Sequence, residues 1–163
     1  MLTPFQTVGP FGSLGLRDCL ARPGESSAGE RLTIRGKLFD GHGQGVPDGV
    51  LELWHPGWPD YVRALTADDG SYEVQVPHPT AFADPNGVVH APHIAVHVLG
   101  RGILTRYLTR IYFHDDTRNE ADPVLALVPQ ARRATVVATR DDEKGYHFDV
   151  ILQGDRETVF FDA

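Results

Sequence analysis

Apolar and polar positions alternate with a period of two through much of the chain, and that period belongs to β-strands. Arg31 to Phe39 sets Leu32, Ile34, Gly36 and Leu38 on one face. Val50-Leu51-Glu52-Leu53-Trp54 is the next strand-like run, and Ser71 to Val76 follows with Tyr72, Val74 and Val76 on one face. Turn-forming residues separate these runs. Asp40 to Gly45 is one such group, and Asp68-Asp69-Gly70 predicts a hairpin. A long Pro- and Gly-containing loop is expected from Pro77 to Pro92.

The middle of the chain, His90 to Phe113, holds two runs rich in Val, Ile, Leu and Tyr, His93 to Leu99 and Ile103 to Phe113. No helix cap separates them, so they predict two strands joined by a flexed turn or bulge at Gly100-Arg101-Gly102. Beyond them, Asp115 to Asp122 is a polar loop and Pro123 to Val128 one helical turn. Ala134 to Thr139 and Gly145 to Leu152 pair around a turn at 141–145, and Thr158 to Phe161 closes the chain. Many short strands with no helical stripe longer than about two turns predict an all-β sandwich. Neither repeats nor a linker divide it, so residues 1–163 are expected to form one domain.

Residues 1–16 fit neither period, yet carry Phe5, Val8, Phe11, Leu14 and Leu16. That is too much apolar surface for a solvated tail, so an arm packed on its own body or on a partner is expected. Residues 17–30 read as a polar surface loop.

Composition narrows the function classes. A formal net charge of −7 argues against nucleic acid, whose phosphates need a basic face. No apolar run approaches the ~18 residues of a membrane span, and the N-terminus lacks the basic flank and apolar core of a signal peptide. The single cysteine, Cys19, excludes an intramolecular disulfide and fits a reducing cytoplasm. It reads as a packing residue.

Candidate chemistry is sparse. Of His90, His93 and His97, the last two share a strand face but lie about 13 Å apart along it, too far to share one ion. A strand chelate needs His-x-His, and position 95 is Ala95. His93 therefore reads as structural and His97 as a surface residue. The pairs Asp68-Asp69 and Asp115-Asp116 sit at turns and read as solvated carboxylates. Neither a Gly-x-Ser-x-Gly elbow nor a phosphate loop is present. Arg101 is the exception, because flanking glycines let its backbone press against another surface while its guanidinium faces an anion. A structural ion pair and a ligand contact are both open for it. No complete catalytic set emerges.

In combination the motifs resemble a known family. Thr3-Pro4-x-Gln6-Thr7-x-Gly9-Pro10-Phe11, Gly36-x-Leu38-x-Asp40-Gly41-x-Gly43 and Leu51-Glu52-Leu53-Trp54 resemble the intradiol ring-cleavage dioxygenases of the protocatechuate 3,4-dioxygenase type. Ala91-Pro92-His93-Ile94, Arg101-Gly102-Ile103, Leu108-Thr109-Arg110-Ile111-Tyr112-Phe113 and Gln153-Gly154-x-x-Glu157-Thr158-Val159-Phe160-Phe161-Asp162 resemble its α subunits. The resemblance implies a β-sandwich and O2-dependent cleavage of a catechol at a non-haem ferric ion held by two tyrosinates and two histidines. This chain departs from that ligand pattern. His93 is present, Ala95 replaces the second histidine, no tyrosine lies between Tyr72 and His93, and Tyr61 sits near the other tyrosine position in a different context. The expectation is therefore that this chain binds no metal and has no catalytic residue of its own. Fe(III) would be held by a partner β subunit in an oligomer of αβ units. By the same resemblance, Thr7, Gly9, Pro10 and Arg101 would line the substrate pocket, with Arg101 facing the carboxylate of protocatechuate. The segments between Trp54 and Asp68 and before Arg31 look trimmed for the family. A non-catalytic β-sandwich binding module is the alternative.

Overall fold

A computed structural model of the chain describes residues 30–100, 102–103, 106–141 and 145–162. The strands are β1 (Arg31–Phe39), β2 (Val50–Trp54), β3 (Val62–Leu65), β4 (Ser71–Pro77), β5 (Phe82–Ala83), β6 (Val89–His90), β7 (His93–Leu99), β8 (Tyr107–Phe113), β9 (Val137–Arg140), β10 (Gly145–His147) and β11 (Val150–Ile151). One short helix, α1 (Pro123–Leu127), is bracketed by 3-10 turns at Thr117–Ala121 and Gln130–Val136.

The long strands form the expected all-β architecture. Their pairing order runs β11-β1-β10-β9-β8-β7-β2-β3, with β4 antiparallel to β1. β9 bends this sheet into two layers, since it pairs antiparallel with β10 in one and parallel with β8 in the other. The inward faces are the alternating apolar sets of the sequence. Leu32, Ile34 and Leu38 from β1 meet Leu51 and Leu53 from β2, Ile94, Val96 and Val98 from β7, and Ile111 from β8, all nearly inaccessible. Each fully buried side chain of this kind contributes about 1.5–3 kcal/mol of apolar transfer.

Gly36 interrupts the apolar face of β1 for a steric reason. A Cβ there would overlap the backbone carbonyl of Phe148, which also accepts the buried Tyr72 hydroxyl at 2.5 Å. The neighbouring strand therefore approaches β1 at that point as only glycine permits.

Three local expectations are corrected, and one strand is added. The short segment between Trp54 and Asp68 carries β3, which pairs with β2. Asp68-Asp69-Gly70 is accordingly a corner and not a hairpin: it turns the chain from β3 in one layer to β4 in the other. Gly70 takes φ 79°, and Asp69 Oδ1 accepts from both the Ser71 amide (3.0 Å) and its hydroxyl (2.6 Å). β8 begins at Tyr107, because Ile103 lies in a turn closed onto the Gly100 carbonyl at 3.2 Å. β9 begins at Val137, because Pro129 starts a 3-10 turn in which the Arg132 amide donates to its carbonyl at 2.7 Å. The loop from Pro77 to Pro92 carries the small β5–β6 ribbon. Among the described residues no helix is long and apolar enough to cross a membrane.

Candidate functional site

Strand alternation sends one set of β7 side chains into the core and the other, His93, Ala95 and His97, to the opposite face. Cross-strand pairing then builds rows on that face. Trp54 of β2, Ala95 of β7 and Arg110 of β8 form one row, and Glu52, His97 and Leu108 form the next. His93 pairs with Tyr112.

His93 is buried beneath the β5–β6 ribbon. Its ring packs on Tyr112 (5.3 Å between centroids), Phe82 (5.4 Å) and His90 (5.8 Å). Its Nδ1 lies 2.8 Å from the Ala91 carbonyl, which can only accept, so Nδ1 carries the proton and Nε2 keeps a lone pair. Burial, reinforced by the nearby Arg110 charge, pushes its pKa down to about 4, so the ring is neutral at ordinary pH.

Asp122 anchors this cluster from below. Oδ2 accepts from the Ala91 amide (2.9 Å), and Oδ1 accepts from the Tyr112 hydroxyl (2.9 Å) and from Val124 and Leu125 at the start of α1 (3.0 and 2.8 Å). Burial opposes the charge, yet the Leu125 amide, the Tyr112 hydroxyl and the Ala91 amide together hold the carboxyl below its ordinary range. His90 Nδ1 stands 3.6 Å from Asp122 Oδ2, buried and without a hydrogen bond, while its ring stacks on Phe82.

The arrangement does not fit the family's ferric ion. Ala95 offers no ligand atom, and no group of three or more His, Cys, Asp or Glu among the described residues could hold a metal. Burial pushes the Tyr112 hydroxyl well above the usual phenol range, so it stays protonated and bonded to Asp122 and is no tyrosinate ligand. Tyr61 is 52% exposed, with the Arg63 guanidinium over its ring at 4.6 Å. His97 stands 3.8 Å from Glu52 on the partly open sheet face.

Arg101, Thr7, Gly9, Pro10 and Cys19 lie outside the described residues. Gly100 directly follows β7 at the end opposite His93, at the strand rise roughly 20 Å from it. The paired acids are not simply solvated. Asp69 bonds Lys37 at 2.7 Å, Asp115 bonds Arg140 at 2.5 Å, and Asp116 caps a 3-10 turn while binding Arg118.

Sequence reasoning missed Arg110, Tyr112 and Asp122 as one group. Alternation along β8 already sets Arg110 and Tyr112 on the face of His93 and Ala95. Asp122 before Pro123 is a helix N-cap signal that the sequence carries openly.

No protein-family profile matches the chain. It is 38% identical to the protocatechuate 3,4-dioxygenase alpha chain of Burkholderia cepacia, over 197 aligned positions that cover 99% of this chain and 97% of that one. It is 34% identical to the alpha chain of Pseudomonas putida, covering 98% and 96%. The corresponding beta chain of Burkholderia cepacia is 25% identical over 77% of this chain and 66% of its own length. An alignment of 197 positions against a chain of 163 residues means that the relative carries stretches absent here. Among solved structures, the dioxygenase domain of a dioxygenase–carbohydrate-binding fusion from Streptomyces matches with TM-score 0.59 and 21% identity over 94% of this chain and 99% of that one. Hydroxyquinol 1,2-dioxygenase from Pseudomonas putida matches with TM-score 0.63 and 15% identity over 77% of this chain and 57% of that one. These likenesses establish the shared fold.

Proposed function

This chain belongs to the protocatechuate 3,4-dioxygenase alpha-chain family, and we propose that it completes, from the metal-free side, a substrate pocket whose iron is held by a β subunit. As an alpha chain it acts in intradiol ring cleavage. The reaction is O2-dependent opening of protocatechuate to 3-carboxy-cis,cis-muconate, in a cytoplasmic hetero-oligomer of αβ units. Bound in the partner, Fe(III) supplies the activation of the catechol toward O2.

The observation that carries this reading is the division along β7. Among the described residues its His93 end lacks a metal-ligand set, and Gly100 follows its other end roughly 20 Å away. This supports a pocket whose metal comes from a second chain. A guanidinium between two glycines can meet the substrate carboxylate through charge-assisted hydrogen bonds. Gly9 lets the arm's backbone approach a flat ring, Pro10 fixes the direction of the arm, and Thr7 lines the same wall. These residues orient the substrate, and this chain moves no electrons. The whole chain forms one domain, with residues 1–16 packing at the αβ interface.

Arg101→Ala in the assembled complex tests the role. A lost charge-assisted contact is worth about 1.5–3 kcal/mol, so KM for protocatechuate rises about 10–100-fold. Catechol, which has no carboxylate, is much less affected. Equal losses for both substrates remove Arg101 from the carboxylate.

A further inference from the structure

The row Trp54–Ala95–Arg110 has a large side chain at each end and a methyl group in the middle. The result is a cavity of about 590 Å³ over Ala95, walled by Phe82 and Pro85 of the ribbon and by His93. That volume falls within the range of small-molecule sites, as does an apolar lining with a few convergent polar groups.

The polar groups in this cavity have unused capacity. Arg110 is half-buried, and among the described residues its side chain makes one hydrogen bond, to the neutral Tyr112 hydroxyl at 3.3 Å. Its guanidinium also lies 5.9 Å from the Phe161 ring, and among the described residues no carboxylate comes within ion-pairing distance of it. An arginine so placed offers a planar fork of donors suited to a carboxylate. His93 donates its Nδ1 proton to Ala91, which leaves the Nε2 lone pair as an acceptor for a hydroxyl. Asp84 also lines the cavity, but its Oδ1 is taken by the Asn86 and Val88 amides at 2.8 and 2.9 Å. Its fixed negative charge at that rim disfavours a second anionic group on the ligand.

We propose that this cavity binds a small, flat organic monocarboxylate bearing a hydroxyl group. The carboxylate sits on Arg110, the hydroxyl donates to His93, and the ring lies between Phe82 and Trp54. With no metal-ligand set beside it among the described residues, the site is a binding site. The geometry is that of this chain alone, so the inference does not require the αβ role.

The test is equilibrium dialysis of the purified protein in its native assembly against 3-hydroxybenzoate under nitrogen. Arg110→Gln removes the charge, and Ala95→Leu fills the cavity from a partly exposed position. Each variant is expected to lose one bound equivalent per copy of this chain: from two to one if a partner binds the ligand as well, from one to none if no partner is present. The uncharged methyl ester is expected not to occupy this site. An equal count for wild type and both variants, at any value, overturns the proposal. The starting count separately reports whether a ligand-binding partner is present.

Discussion

The Tyr112 hydroxyl donates to Asp122 Oδ1 at 2.9 Å, between two residues that are almost wholly buried. The contact ties the end of β8 to the start of α1, and the same carboxylate holds the Ala91 amide at the entry to β7. Asp122→Ala leaves these donors unsatisfied in the interior and removes a helix cap, so it is expected to destabilise the fold by about 3 kcal/mol or more. Tyr112→Phe removes the bond to Asp122 and the longer one from Arg110, leaves the other Asp122 bonds in place, and costs about 1–2 kcal/mol. Urea midpoints at constant m measure both.

Stability also depends on protons. His93 titrates near 4 in the folded chain against 6.5 ordinarily, and His55 is likewise lowered by burial, against the raising effect of its 2.8 Å bond to Thr80. Because the folded pKa values are depressed, the unfolded chain takes up these protons first. The stability they represent is complete above about pH 6.5 and is lost as pH falls toward 4, on the order of 3 kcal/mol for His93. The lowered carboxylates, Asp122 among them, act only below their ordinary value of 3.8. Unfolding free energy measured from pH 7 to 4.5 is expected to fall, and His93→Gln to flatten that slope.

Close backbone approach makes a third prediction. Gly36→Ala drives a methyl group into the Phe148 carbonyl, a backbone atom that cannot swing aside. The expected cost is about 2 kcal/mol or more, whereas Tyr72→Phe, which removes only the hydroxyl bonded to that carbonyl, costs about 1 kcal/mol. Thermal midpoints of the two variants compare them directly.

Strands whose two faces differ in polarity are legible in the sequence. β1 spans the predicted Arg31 to Phe39, and β2 the predicted Val50 to Trp54. β3 was not legible, because Val62-Arg63-Ala64-Leu65 is too short and mixed to show a period and is fixed by its pairing with β2. The corner at Asp69-Gly70 shows the same limit: local residues announce a turn, but which strand the chain joins next is set by layer packing. At the site, the row that sets Ala95 between Trp54 and Arg110 follows from strand alternation and pairing. The Arg110, Tyr112 and Asp122 group was not assembled, because only the fold brings α1 beneath β7 and β8.

Bound iron and protocatechuate-dependent O2 uptake, measured for this chain alone and for the chain co-produced with its β partner, bear most directly on the proposed division of labour. The expected result is no iron and no uptake for the chain alone, with about one iron per αβ unit and full uptake for the pair. Iron and uptake in the isolated chain would contradict it, and would place a metal site where Ala95 and the bonded Tyr112 leave no ligand set.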